Sequence, residues 1–196
     1  GKLGKSAGRK LDVPRDTLIR VFAVLAIVVL AGSTIFQAAT VSVPKLLQER
    51  AAGLAGSTLG VGLLASAIFT VGAMTQLTVG RLLDHVSLKT AFLMVSAFSA
   101  PCLLAAAYAT DWSLLLAAAG IMVAVFGQVT INDTMLGRYT ADAWRSRIYA
   151  VRYFFGFVTA GGAVPMVSYL HDNAGGFVSV YLVLAVLGIF VFLGAL

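Results

Sequence analysis

The polar side chains that could do chemistry in this chain lie inside long apolar runs and recur at helical spacing. Ser33, Gln37 and Thr40 are four and three positions apart, so a helix would place all three on one face. Gln128 and Asn132, also four positions apart, would share a face of another helix. Their hydroxyl and amide groups donate and accept hydrogen bonds without carrying a charge. These residues therefore predict recognition of an uncharged polar group.

Three more hydroxyl residues, Ser66, Thr70 and Thr159, also lie within apolar runs. For serine and threonine we favour a hydrogen bond back to a carbonyl of their own helix over contact with a ligand. For Gln37 and Gln128 we favour the lining of a cavity, because a long amide in lipid needs a partner or water. The alternative for these two glutamines is a hydrogen bond to a neighbouring helix.

Residues for catalysis or metal binding are scarce. Cys102 is the single cysteine, and the two histidines, His85 and His171, fall in short gaps between the apolar runs. We interpret His171 as a solvated turn residue. A Ser-His protease within the membrane needs its histidine at membrane depth. A metal-dependent one needs a His-Glu-x-x-His helix, whereas Glu49 is the only glutamate. The sequence therefore predicts no enzyme activity, no metal site and no cofactor.

The elements that must position the polar residues are six apolar runs, each close to the ~20 residues that a helix needs to cross a bilayer. Unpaired backbone groups in lipid cost several kcal/mol each, so such runs must be helical. Hydrophobic residues make up 60% of the chain and charged residues 11%. We therefore predict an all-α integral membrane protein, with residues 1–17 as a cytoplasmic linker and 18–196 as a six-helix transmembrane bundle. The predicted spans cover residues 20–44, 57–80, 90–110, 112–136, 147–170 and 177–196.

Basic residues are distributed unevenly among the gaps between these spans. Twelve of the 14 Lys and Arg residues lie in the N-terminal segment and in the gaps after the second and fourth spans, and the other two are Lys45 and Arg50. Short loops rich in Lys and Arg remain in the cytoplasm. Both termini are therefore predicted to be cytoplasmic, in a multi-pass protein of the cell (plasma or inner) membrane. Topology thus explains the net charge of +6, and no nucleic-acid partner is predicted.

The gap after the second span carries the most specific motif of the chain. It reads Gly80-Arg81-Leu82-Leu83-Asp84-His85-Val86-Ser87-Leu88-Lys89. This segment resembles the loop signature of the Major Facilitator Superfamily, G-x-L-x-D-(R/K)-x-G-(R/K)-(R/K), as it recurs between the eighth and ninth helices. Gly80, Leu82, Asp84 and Lys89 match that signature. His85 stands where a base is usual, Ser87 replaces the glycine and Leu88 replaces a basic residue.

Other segments are similar to the same family over nearly the whole chain. Residues 40–44 resemble the outer end of the seventh helix, and residues 161–177 resemble the eleventh helix and its exit turn. The resemblance implies helices seven to twelve, the C-terminal half of a twelve-helix transporter whose N-terminal six-helix half is a partner absent from this chain. It also implies that the first and fourth helices of the half line a central cavity. The chain starts with Gly1-Lys2 and stops at Leu196 inside an apolar run, so we expect a fragment.

The resemblance further implies secondary active transport of a small organic solute by alternating access. No charged residue is predicted near the middle of the membrane, which weakly favours a neutral or amphipathic solute, and the resemblance implies efflux as the commonest role of this kind. A coupling proton is a further candidate partner, and any carboxylate that carries it would have to lie in the absent half. The expected partners are the lipid bilayer, the N-terminal half and the solute. The alternatives are a non-transporting membrane scaffold or signalling protein and, less favoured, an intramembrane enzyme.

Charged residues at the cytoplasmic ends of the spans are predicted to act in gating. By rise per residue, Asp133 lies ~33 Å from Asp111, at the inner edge of the hydrocarbon core, and Arg152 can extend to the inner interface. The resemblance implies that Asp84 holds cytoplasmic helix ends together, with its main partner in the absent half. The remaining members of this predicted cytoplasmic charge cluster, which also includes Arg81 and Lys89, are Asp133, Arg138, Arg145, Arg147 and Arg152.

Overall fold

The computed structural model describes residues 15–140 and 142–196, with side chains from residue 27 onward except those of 139, 142, 143, 145 and 195. This part of the chain is helical, without strands. The long helices are separated by short turns, and six of them are long and apolar enough to cross a membrane. The prediction of an all-α multi-pass membrane protein is thereby confirmed. The helices are α1 (Arg15–Arg50), α2 (Ala52–Ala55), α3 (Thr58–Leu82), α4 (Leu88–Tyr108), α5 (Asp111–Tyr139), α6 (Asp142–Asn173) and α7 (Phe177–Ala195).

Helix boundaries differ most from the predicted spans at the end of α1. The first span was predicted to stop at Pro44, whereas α1 continues through this proline to Arg50. A proline within a helix costs ~3 kcal/mol. Here, close packing offsets that cost: Leu46 and Leu47 are fully buried, and Arg50 Nη1 donates a hydrogen bond of 2.7 Å to the Ala107 carbonyl of α4. Of the predicted linker, residues 1–14 lie outside the described part of the chain, and residues 15–17 belong to α1.

The helices pack around α1, α5 and α7. Helix α4 lies between α5 and α7, α3 packs on α5, and α6 packs mainly on α1. The most apolar segment of α5 is 56% buried inside the bundle, whereas the corresponding segments of α3 and α6 are 17% and 11% buried. Helices α3 and α6 therefore expose most of their surface to whatever surrounds the bundle, lipid or protein.

Small residues allow the central helices to approach closely. A Cβ atom at Gly120 of α5 would lie 2.6 Å from Cys102 Sγ of α4, and one at Gly72 of α3 would lie 2.9 Å from Phe126 Cδ2 of α5. Apolar lipid supplies no hydrophobic force between helices, so membrane helices associate through close contacts of this kind. These two glycines fix the distances at which α3, α4 and α5 pack.

The charged residues separate to two ends of the bundle. At one end Arg138 Nη2 of α5 donates to the Leu83 carbonyl over 3.2 Å, and α6 begins nearby. We call this the basic end, because the described part of it holds Arg81, Lys89, Arg138, Arg147 and Arg152. At the other end, called the opposite end, α1 finishes beside the α6–α7 turn, where Glu49 contacts His171. Of the cations assigned to one side from the sequence, those with described side chains thus share one end of the bundle.

Candidate functional site

Two contacts that involve predicted polar residues lie at consecutive positions of α1, one with α6 and one with α5. Thr159 Oγ1 of α6 lies 3.4 Å from Ser33 Oγ of α1. On the preceding residue of α1, Gly32, a Cβ atom would lie 3.5 Å from Gln128 Oε1 of α5. We call the group formed by Gly32, Ser33, Gln128 and Thr159 the polar junction.

The side chain of Gln128 is the least ordinary member of the polar junction. It is 6% exposed and lies against the bare backbone of Gly32, where a larger residue would compete for the same space. Within the described part of the chain, its amide has no protein hydrogen-bond partner. The amide oxygen and nitrogen are not among the fully buried side-chain atoms that lack a partner, so they keep some access to their surroundings. The amide is therefore available to water, and the cavity interpretation of this residue stays a prediction.

Gln37 and Asn132 extend the polar junction along their own helices without joining it. Gln37 lies one helical turn beyond Ser33, and Asn132 lies one turn beyond Gln128 towards the basic end. Both are partly buried. Helices α1 and α5 are held together by an edge-to-face contact between Phe36 and Phe126, whose ring centroids are 5.4 Å apart. Their cavity role stays a prediction.

All three of the predicted threonines bond back to their own helices, including Thr159 of the polar junction, whose hydroxyl donates to the Gly156 carbonyl over 2.9 Å. Thr40 donates to the Phe36 carbonyl over 2.6 Å, and Thr70 donates to the Ser66 carbonyl over 2.8 Å. Ser66 and Thr70 are exposed on α3, away from the polar junction. The arrangement favoured from the sequence is thus seen for the threonines. Any cavity that includes them needs a partner facing α3.

The loop motif joins α3 to α4 at the basic end. Asp84 and His85 are exposed in the turn, and among the described side chains Asp84 has no ion-pair partner. Ser87, which replaces the glycine of the family signature, accepts a 3.2 Å hydrogen bond from the Thr90 amide and so caps the start of α4. A Cβ atom at Gly80 would meet nothing within 4 Å, so packing within the described bundle does not require a glycine there.

The described members of the predicted cytoplasmic charge cluster make separate contacts. Arg152 of α6 forms an ion pair with Asp133 of α5 rather than reaching alone to the interface, and the Tyr149 hydroxyl donates to the Asp133 carbonyl over 3.3 Å. A charge at the edge of the hydrocarbon is costly unless it is paired, which favours a local partner. Arg138 bonds the Leu83 carbonyl, and Lys89 Nζ donates to the Leu196 carbonyl over 3.0 Å.

Two further arginines of this predicted cluster, Arg147 and Arg81, make no contact with its other described members. Arg147 lies over the Trp144 ring, 5.0 Å from its centroid. The side chain of Arg145 lies outside the described residues. Arg81 is exposed at the end of α3. Among the described side chains the predicted cluster thus shows one interhelical ion pair and separate contacts of the other cations, and a single network stays a prediction.

The opposite end contains a contact that the sequence did not predict. His171 Nε2 lies 3.1 Å from Glu49 Oε1, His171 Nδ1 lies 2.9 Å from Asp172 Oδ1, and the ring centroid is 4.6 Å from that of Phe177. The interpretation of His171 as a solvated turn residue was wrong, because α1 continues beyond Pro44 and brings Glu49 to it. Nearby, Ser42 Oγ and the buried Tyr181 hydroxyl are 2.9 Å apart and link α1 to α7.

Six helices that are long and apolar enough to cross a membrane define a multi-pass membrane protein. In the described part of the chain, no three His, Cys, Asp or Glu side chains form a group that could hold a metal ion. No protein-family model matches the chain, and neither a curated protein nor a solved structure matches it.

Proposed function

We propose that the chain is the C-terminal six-helix half of a Major Facilitator Superfamily transporter and that it moves a small organic solute by alternating access. The observation that carries this proposal is the position of the loop motif: the segment from Gly80 to Lys89 connects two consecutive membrane helices at the basic end, as the family signature does. In this family two halves rock about a central site. With the positive-inside rule, the basic end is cytoplasmic, in the plasma or inner membrane.

The exposed helices support the idea of a missing half. Helices α3 and α6 bury little of their surface within the chain. The exposed positions of α3 include two polar residues, Ser66 and Thr70, which would be costly to leave facing lipid. A second six-helix half facing α3 and α6 would cover these positions and enclose a path between the halves. Asp84 is exposed and has no ion-pair partner among the described residues. It would then contact a helix end of that half and bias the equilibrium between the outward-open and inward-open states.

The chemistry of the polar junction supports an uncharged or amphipathic solute. Its members offer one amide and two hydroxyls. In the nearest described ion pair, the charges of Asp133 and Arg152 neutralise each other. Efflux is the direction that we favour. A coupling proton would need a carboxylate supplied by the N-terminal half, since the described spans hold no carboxylate at the polar junction.

The test uses the full-length protein in proteoliposomes with two fluorescent probes, Nile red (neutral, amphipathic) and carboxyfluorescein (anionic). We expect energy-dependent movement of Nile red and none of carboxyfluorescein. Gln128→Ala should lower the rate about fivefold, the effect of losing one hydrogen bond of ~1 kcal/mol. Gln128→Met keeps the side-chain volume and should lower it equally.

Val129→Ala, on a different face of the same helix, is the control and should retain the rate. Full activity in Gln128→Met would show that Gln128 acts by packing, not by hydrogen bonding. An absence of movement of any neutral or amphipathic probe, in protein that inserts normally, would contradict the transport proposal.

A further inference from the structure

The imidazole of His171 joins three elements at the opposite end of the bundle. Its Nε2 lies 3.1 Å from Glu49 Oε1 at the end of α1, and its Nδ1 lies 2.9 Å from Asp172 Oδ1. Its ring packs on the buried ring of Phe177, the first residue of α7, with the two centroids 4.6 Å apart. The Gly176 amide donates to the His171 carbonyl over 3.1 Å, so the turn also fixes the backbone. We call the group formed by Glu49, His171 and Asp172 the histidine clamp.

The histidine clamp is complete only when the imidazole carries two protons. An ionised carboxylate accepts hydrogen bonds and cannot donate one, whereas a neutral imidazole has one donor nitrogen and one acceptor nitrogen. With a neutral ring, one of the two carboxylates therefore faces a lone pair, and with a protonated ring both carboxylates face a donor. His171 also lies in the last turn of α6, where the helix dipole favours a cation. Histidine is the side chain that ordinarily gains this proton between about pH 8 and about pH 5.

The other charged or titratable side chains of the opposite end have partners or positions of their own. In the described part of the chain, the imidazole forms hydrogen bonds with the two carboxylates of the clamp alone. Arg50 donates to the Ala107 carbonyl, and the Tyr181 hydroxyl is buried against Ser42. The remaining groups are exposed, namely Lys45, Tyr108, Asp111 and Tyr169. Protonation of the imidazole therefore acts first on the clamp.

The histidine clamp ties a weakly packed helix end to a firmly packed one. Beyond its proline, α1 is anchored in the bundle, because Leu46 and Leu47 are fully buried. Helix α6 also contains a proline, Pro165, six positions before the histidine. An interior proline removes a hydrogen bond of the helix and allows it to bend. Of residues 166–173 only Val167 is buried, and the clamp supplies their one described side-chain hydrogen bond to another helix.

We propose that the histidine clamp is a proton-operated latch at the opposite end of the bundle. When His171 takes up a proton from water, both of its nitrogens donate and the end of α6 is held against α1. When the proton leaves, one of the two contacts is lost and the end of α6 bends away at Pro165. The latch follows from these contacts alone. That it responds to pH outside the cell rests on the proposed function, which makes the basic end cytoplasmic.

The test measures the position of the α6 end in purified full-length protein in detergent. Spin labels are attached to cysteines replacing Ala174, exposed in the α6–α7 turn, and Leu59, which is 75% exposed at the start of α3, a helix that the clamp does not touch. Cys102→Ser and replacement of any other cysteine remove competing sites. Distances between the labels are recorded by double electron–electron resonance at about pH 8 and about pH 5.5.

We expect one distance to dominate at the lower pH, and its population relative to the other distances to fall about fivefold at the higher pH. This factor is the difference between a hydrogen bond to a charged group and one to a neutral group. Glu49→Gln should remove the pH dependence, and His171→Gln should do the same. Asp111→Asn is the matched control and should retain it, because this carboxylate is exposed at the same end and lies outside the clamp.

A wild-type distance distribution that does not change with pH would overturn the latch. A change that persists in Glu49→Gln, or that Asp111→Asn removes equally, would assign the effect to other charges and would also overturn it. The measurement uses no solute and no membrane. Its outcome is therefore independent of whether the protein transports a solute and of which end is cytoplasmic.

Discussion

The ion pair between Asp133 and Arg152 should be worth measurably more to stability than any other cation of the basic end. Its two side chains are 43% and 23% exposed respectively, so it lies between a buried pair and a surface pair. Breaking a fully buried pair costs ~3–5 kcal/mol and breaking a surface pair ~0.2–1 kcal/mol. For Arg152→Gln we therefore expect a loss of ~2 kcal/mol, because Asp133 is left half-buried without its partner and α6 loses its main polar contact with α5.

At ~2–4 °C per kcal/mol for a chain of this size, the loss corresponds to a fall of ~4–8 °C in the midpoint of thermal unfolding. The assay is the unfolding of purified protein in a mild detergent, followed by circular dichroism at a fixed protein concentration. Arg81→Gln is the matched control, since it removes an exposed cation from the same end, and it should change the midpoint by less than ~2 °C.

The double variant Asp133→Asn with Arg152→Gln distinguishes pairing from two independent contributions. Removing both charges leaves no unpaired ion, so the double variant should be more stable than Arg152→Gln alone, with a coupling energy of ~0.5–3 kcal/mol. Additive losses, or a loss in Arg152→Gln no larger than in Arg81→Gln, would refute the view that these two helices are held by this pair.

Two further predictions concern topology and gating. In a Cys102→Ser background, a cysteine at Asn173 should react with an impermeant maleimide in intact cells, and a cysteine at His85 should react only after lysis. The reason is that the positive-inside rule predicts a cytoplasmic basic end. Reversed labelling would overturn this orientation. Asp84→Asn in the full-length protein should shift the population towards the inward-open state and slow turnover more than it weakens solute binding, since an anion at a helix N-terminus contributes ~0.3–2 kcal/mol. Wild-type accessibility of cavity cysteines together with a wild-type transport rate would identify Asp84 as an ordinary loop residue.

The membrane helices could be predicted from the sequence because hydropathy acts locally. Each run of apolar residues favours a spanning helix irrespective of its neighbours, and the six predicted spans correspond to α1 and α3–α7. The exception is informative. At Pro44 the local signal predicts an end, whereas burial of Leu46 and Leu47 and the bond from Arg50 to Ala107, 57 positions away, carry α1 onward.

Contacts between side chains could not be predicted in this way. The spacing of Ser33 and Gln37 indicates a shared face, but their periodicity does not name Thr159 as a neighbour, 126 positions away from Ser33. Likewise Arg152 was expected to extend to water, and Asp133 proved to be its partner because α5 and α6 happen to approach at that depth.

The sequence by itself therefore determined the number of spans, the charge difference between the two ends and the uncharged character of the polar residues inside. These properties follow from how each residue partitions between water and lipid, which depends on its own chemistry. The tertiary structure alone decided which helices meet, that Gln128 faces Gly32, and that His171 contacts Glu49. Those contacts depend on how closely helix surfaces fit at small residues such as Gly72 and Gly120, a property of pairs of helices that no single segment contains.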